Sequence, residues 1–433
     1  MPSSSHRRAA RAATPRPSVA GRACRTLACL TVACLTLALV AATPVRAQMG
    51  QAPAGGIRRL DGTRITTAAA DSFARRTLAA HGVTGAQLAV VDDGRLVWSA
   101  AYGLRQRAPD LPMQRTTTTW AASITKAVFA TYVMQLVERD LFDLDVPVAR
   151  QLERPLDTYA PYQKKAAALV RDPRWPTVTP RMLLAHTAGL ANFAFLEPDS
   201  LMRLHATPGA QYRYSGEGIN LVQFVVEQRL GRPLDTLMQE ALFAPLGMAR
   251  TGMIFRPEFE ADIADRFDAD QRFVSKTRRH PARAAGSMTS TAEDLAAFAV
   301  ALLDDRILRR ATRAAMLRPQ VRIRTLHQFA IRADEGEGEE ARRVGLAYGI
   351  GWGLLTRTPF GPAFFKEGHG DGAQTFLVCF ERRRACMILL TNSDNGELAF
   401  RPLLETIFGN TATPWEWHGY TPAYIAESRR NGS

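Results

Sequence analysis

The stretch Trp120–Ala130, WAASITKAVFA, sets a lysine inside an almost wholly apolar run, three residues after a serine. Removing water from an ammonium group is costly unless a partner compensates, so a lysine kept at this position needs a reason. The run predicts a helix over 126–139, and on a helix residues i and i+3 share a face. With Ser123 at the first turn, the Lys126 amine reaches the serine hydroxyl. Apolar surroundings lower the lysine's pKa toward neutrality and let it accept a proton. The helix N-terminus favours negative charge where the serine ionises and where an oxyanion forms. The plain alternative is an N-capping serine beside a lysine that snorkels to the surface.

A bare S-x-x-K is common, and its context gives it weight. Downstream come VTPRMLLAHTAGL, YRYSGEGINLVQFVVEQRLGRPLDTLM, FAPLGMARTGM, AAGSMTSTAEDLAAF, YGIGW, GHGDG and ILLTNSDNG, in that order. From about Thr84 to Phe408 these segments resemble the β-lactamase-related serine hydrolases, which include class C β-lactamases, D-alanyl-D-alanine carboxypeptidases and esterases. The resemblance implies a β-lactamase/transpeptidase-like fold, an antiparallel sheet flanked by helices with an inserted helical domain. It implies Ser123 as acylated nucleophile, Lys126 as its base, and Tyr214 as the tyrosine of the Y-x-N element. His369 matches the first position of the K-T-G or H-x-G strand element. The N–H of Ser123 and one from the segment Gly370 to Gly372 then form the oxyanion hole. No metal or cofactor is required, and the partner is a small-molecule or peptide-like acyl substrate.

Two departures bear on recognition. Gly216 stands where Y-x-N has asparagine, leaving Glu217 or Asn220 as substitutes. His369-Gly370-Asp371 brings its glycine one place late, at Gly372. An imidazole of ordinary pKa is mostly neutral at pH 7, so a histidine in place of lysine is expected to weaken selection for anionic substrates and favour neutral esters or amides. The rival activities are D-alanyl-D-alanine carboxypeptidase, true β-lactamase, and a non-catalytic penicillin sensor of the same fold. His186 reads as a structural histidine. Ser393-Asp394-Asn395 follows the strand element instead of preceding it, and so reads as a loop.

The 433 residues carry a formal charge of +14, but seven arginines and no acidic residue fall within the first 47 positions. The remainder holds 48 basic and 41 acidic residues, with no basic stripe interleaved with aromatics, which argues against a nucleic-acid partner. Residues 1–47 read as a signal peptide: an arginine-rich start, the apolar segment Leu27–Val40, and a small-x-small site cut after Ala47. The expected location is periplasmic or secreted with no stable membrane partner after cleavage. An N-terminal membrane anchor is the alternative. Cleavage leaves Cys379 and Cys386, opposite each other if the chain turns at Arg382-Arg383, as a disulfide or as two buried thiols.

In chain order, a helix near Ala68–Ala80 precedes a hairpin, AQLAVV and RLVWSAAYG, joined through Asp92-Asp93-Gly94. Helical patterns fill the middle, including 180–185 and 219–230. Thr291-Ala-Glu-Asp294 has capping-box spacing, and LAYGIGWGLL, AQTFLVCF and ACMILLTN are β-type runs. The chain thus reads as an α/β lobe (about 56–120 and 285–410) with an all-α lobe (about 121–284) let into it, all within a hydrolase domain over 48–433. ADEGEGEE (Ala333 to Glu340) reads as a solvated loop, and 411–433 as a C-terminal tail.

Overall fold

The computed structural model describes residues 55–329 and 336–431. The expected signal segment lies outside them. Among the described residues no helix is long and apolar enough to cross a membrane.

A nine-stranded antiparallel sheet organises the chain. Ala363–Gly370, Ala373–Phe380 and Ala385–Thr391 form a meander. The last of these pairs with Gly85–Asp92, which continues into Arg95–Gln106 and the short Leu111–Pro112. On the other side of Ala363–Gly370 lie Gly353–Leu355, Leu346–Tyr348 and Val321–Arg322. The N-terminal hairpin therefore completes a sheet whose other strands come from the C-terminal part. Its turn is the expected one, with Asp93 and Gly94 both at positive φ (48° and 70°), which suits the right-handed twist of the flanking strands.

Both faces of the sheet are covered, so its central strands are buried along nearly their whole length instead of on alternate residues. One set of side chains, including Ala89, Phe364, Leu377 and Ile388, packs with the helices Ile124–Glu138 and Ala292–Leu303. The other set, including Leu88, Phe365, Phe376 and Leu389, packs with Thr67–Ala80 and Gly396–Leu403. Every residue from Ile124 to Leu136 is buried, as expected of a helix apolar on all sides. It is the central pillar between the sheet and the helical middle of the chain.

Several expectations need correction. The C-terminal tail is ordered over 411–431: it holds the helices Trp415–His418 and Pro422–Asn431, and Trp415, Trp417, His418 and Tyr420 are buried against Phe365 and Phe376. Their aromatic area outweighs the polar residues around them. The acidic run is partly a helix, since Glu339 and Glu340 open Glu339–Val344, while 333–335 lie outside the described residues. The capping box at Thr291 is half made. Thr291 Oγ1 accepts from Asp294 N at 3.1 Å, but the Asp294 carboxylate turns to Arg250 N and Thr251 Oγ1. Cys379 and Cys386 face each other across adjacent strands as a disulfide, closed by a turn in which Arg384 N donates to Glu381 O.

Candidate active site

Ser123 sits at the N-cap of the central helix, yet its side chain caps nothing. Its hydroxyl instead meets Lys126 Nζ at 2.8 Å. The preceding Ala122 has φ 44°, a conformation that costs a non-glycine residue energy and is held only where its surroundings demand it. Lys126 does not snorkel, being 1% exposed. Its other partner is Ala285 O at 2.5 Å. Burial lowers the Lys126 pKa, the positive charge of Lys366 lowers it further, and Tyr214 and Glu367 only partly offset this. The serine thus faces an amine held toward its neutral, proton-accepting form.

Tyr214 enters from the segment just before the helix Gly216–Leu230, whose N-cap is Ser215. Two lysine side chains flank its ring, Lys126 Nζ at 5.0 Å and Lys366 Nζ at 5.2 Å from the centroid. Burial favours the neutral phenol, but these two charges prevail and hold its pKa below the ordinary tyrosine value. The buried hydroxyl faces Ser123, Lys126 and Lys366 without meeting any of them in hydrogen-bond geometry. Such misalignment is common in a site awaiting substrate. His186 is structural, as expected. It is buried with a pKa well below the histidine norm, Nδ1 accepts from Ser215 N at 3.2 Å, and its ring packs 4.4 Å from that of Tyr214.

Lys366 was missed by the sequence reading, although its signal is plain in retrospect. Lys366-Glu367-Gly368 is a K-x-G with regular spacing, three residues before His369. A Cβ on Gly368 would lie 2.7 Å from Ala121 O and 2.9 Å from Ala122 Cβ, so only glycine lets this strand pass so close to the serine turn. Lys366 and Glu367 form a buried ion pair, and Gln328 also donates to Glu367. Burial opposes both charges, yet each holds the other ionised, raising the lysine pKa and lowering the glutamate's. Lys366 is therefore the lysine that this strand sets beside Tyr214.

His369 still lines the cleft, at its rim, with 53% of its side chain exposed. Its Nδ1 lies 2.6 Å from Glu397 Oε1. Burial lowers its pKa, but Glu397, Asp394 and Asp371 together raise it above the ordinary value. An acidic neighbour distant in sequence thus shifts this imidazole away from the ordinary value, in the direction that favours its charged form. Gly370 abuts the Trp120 ring. Gly372 is unsuited to an oxyanion hole because its N–H is already given to Asp394 Oδ1 at 2.5 Å. That bond also gives the SDN loop a structural task.

The departure at Gly216 has a steric cause: a Cβ there would sit 2.4 Å from Phe193 Cζ. Glu217 is spent on Lys165 (2.5 Å) and Ala194 N (3.2 Å). Asn220, one helical turn on from Gly216, lines the cleft, and its Oδ1 accepts from Ala285 N at 3.0 Å. That bond fixes the amide while leaving its NH2 group as a donor. Ser123, Lys126, Tyr214, Asn220 and His369 share one cleft of about 1070 Å³, ample for a bulky substrate. Among the described residues no cluster of histidine, cysteine or carboxylate side chains could hold a metal ion.

The family model described as Beta-lactamase matches residues 70–407. Esterase EstB of Burkholderia gladioli is 26% identical, the match covering 68% of this chain and 81% of the esterase. Penicillin-binding protein 4 of Amycolatopsis lactamdurans is also 26% identical, over 77% of this chain and 87% of its own. The solved D-amino acid amidase of Ochrobactrum anthropi SV3 superposes with a TM-score of 0.58 at 22% identity, covering 84% of this chain and 99% of the amidase.

Proposed function

The chain belongs to the β-lactamase family, a family of serine hydrolases, and on that premise we propose that it cleaves an ester or amide bond through an acyl-enzyme on Ser123. The carrying observation is the 2.8 Å contact between Ser123 Oγ and a buried Lys126 of lowered pKa. Ser123 Oγ bonds to the substrate's acyl carbon and its proton passes to the Lys126 amine. The carbonyl electron pair moves onto oxygen. The Ser123 N–H and an N–H at His369 or Gly370, on the strand that crowds Ala121, receive that oxyanion. Collapse breaks the bond to the leaving group. The leaving group takes the proton of Tyr214, which Lys126 replaces. Water then attacks the acyl carbon, the acid departs, and a proton returns to Ser123 Oγ. Lys366 keeps Tyr214 readily ionised, and Asn220 offers an amide donor to the acyl group.

The named relatives include an esterase and a penicillin-binding protein, which supports esters and amides as the bonds to test first. Fluorophosphonate labelling and turnover of short-chain aryl esters should both disappear in Ser123→Ala, and turnover should nearly disappear in Lys126→Ala. Stoichiometric labelling of the Ser123→Ala protein would overturn the assignment. Export is part of the same proposal. Protein recovered from fractionated cells should begin at Gln48, and a chain that retains Leu27–Val40 in the membrane pellet would favour the anchor.

A further inference from the structure

One wall of the cleft is built from a short hairpin, Asp265–Phe267 with Phe273–Lys276, and the loop that follows it. The sequence there, KTRRHPAR (Lys276 to Arg283), is strongly basic. In this segment the exposed Arg278 pairs with Glu260. Arg266 and Arg279 do not. Among the described residues neither has a carboxylate within ion-pair distance, although both line the cleft that holds Ser123.

Both guanidiniums lie over one indole, Arg279 at 3.6 Å and Arg266 at 4.8 Å from the Trp120 ring. Trp120 is three residues before the serine, and its Nε1 donates to Gly286 O at 2.6 Å, so the platform is fixed to the serine turn. Arg266 is held by Asp371 O at 2.7 Å and by Ser275 Oγ. The Nε of each arginine is buried without a partner. Burial and the mutual repulsion of the two charges bring the Arg279 pKa down to about 10. Asp371 lowers the local potential without reaching either group. Two like charges, half-buried, stacked and short of acceptors, are costly in the free protein. An oxyanion in the cleft would place acceptors before the Arg279 guanidinium, which lines it, in the fork geometry that guanidinium groups prefer.

We propose that Arg279 and Arg266, on the Trp120 platform, bind an oxyanion, carboxylate or phosphate-like, carried by the substrate of Ser123. This inference rests on the serine hydrolase reading for the word substrate, and it assigns the class: an acyl compound with a negative charge near the scissile bond. It reverses the preference for neutral substrates that a lone histidine at 369 suggested.

The test separates binding from chemistry. In the Ser123→Ala protein, calorimetry compares meta-butanoyloxybenzoate, its phosphonate analogue and the neutral meta-butanoyloxybenzamide. The carboxylate or the phosphonate should bind at least about tenfold more tightly than the amide, equivalent to about 1.4 kcal/mol. Whichever is preferred identifies the oxyanion. Adding Arg279→Gln should reduce that ratio to below about twofold, while Arg279→Lys should retain part of it. Arg272→Gln, the same charge change on an exposed residue paired with Asp270 outside the cleft, should leave the ratio as it was. Equal binding of all three esters, or a ratio that Arg272→Gln lowers as much as Arg279→Gln, overturns the inference. Fluorophosphonate labelling and turnover by the unmodified chain report on the serine mechanism independently. A flat binding ratio with labelling intact refutes the oxyanion site alone, and a preserved ratio with no labelling refutes the hydrolase reading alone.

Discussion

Substituting Gly216→Asn would restore the asparagine of the Y-x-N element, and the structure states what it costs. The new Cβ would lie 2.4 Å from Phe193 Cζ and 2.5 Å from Cε1, about 1 Å inside normal carbon contact. Overpacking of this kind costs about 1–3 kcal/mol. Two features move the value toward the lower end. Phe193 stacks on Phe195 (centroids 5.1 Å apart), which is 69% exposed, so the ring has a route toward solvent. Gly216 also opens a helix, where exchanging glycine returns about 0.5 kcal/mol of backbone entropy. A net loss of about 1–2 kcal/mol follows. Phe193→Ala removes a partly exposed ring at about 1 kcal/mol, and in that background the asparagine fits. The double variant should therefore be about as stable as Phe193→Ala alone, with a coupling of about 1–2 kcal/mol in its favour. Urea unfolding at neutral pH measures this, provided the m-values agree. Activity gives a second reading, since the double variant should raise the amide-to-ester ratio of kcat/KM by about three- to tenfold, the worth of one hydrogen bond. Strict additivity of the two substitutions, or a Gly216→Asn protein as stable as the parent, would refute the steric account.

Asp294 is mostly buried, and burial pushes its pKa up to about 6 from 3.8. The folded state then holds this proton more tightly than the unfolded chain, so the contribution is complete below about pH 4 and is lost as pH rises through 6, by about 3 kcal/mol. Asp294→Asn should flatten that part of the stability–pH curve, and an unchanged slope would count against it. For His369 the raised pKa means that the Glu397 pairing stabilises most at acid pH and fades as pH rises past the folded value. The Tm advantage of the parent over Glu397→Gln should therefore hold below about pH 6.5 and shrink as pH rises above it, and an advantage that grows would be the wrong sign. The Cys379–Cys386 bridge closes a short loop, with a sequence separation of 7. Replacing both cysteines by alanine should lower stability by about 2–3 kcal/mol, and unchanged denaturant midpoints would exclude it.

The parts legible in sequence were those set by local rules. The apolar run around Lys126, the Asp93-Gly94 turn, and the β-type runs at 373–380 and 385–391 each follow from periodicity or turn chemistry. The pairing of Ser123 with Lys126 followed because i and i+3 are neighbours on any helix. What escaped depended on contacts between distant residues. Glu397 raises the pKa of His369 from 28 positions away. Phe193 is what forbids a side chain at Gly216, and Asp394 is what occupies the Gly372 N–H. Lys366 is a different case, since K-x-G is a local pattern, but GHGDG overlaps it from Gly368 and offers a competing match. The burial of 415–420 depended on aromatic partners in strands some fifty residues earlier.

The backbone of Ala285 makes two contacts at once: its carbonyl accepts from Lys126 Nζ, and its N–H donates to Asn220 Oδ1. It is also the far end of the loop that bears Arg279. Under the proposed mechanism, charge recognition, acyl orientation and basicity are therefore not independent adjustments. Any change of loop length or conformation between Lys276 and Gly286 that retunes what the cleft admits will also retune how readily Lys126 accepts a proton. Specificity and rate are geared together through the backbone of one residue, and a variant selected for a new substrate at this wall should carry a compensating change near Thr125 or Asn220.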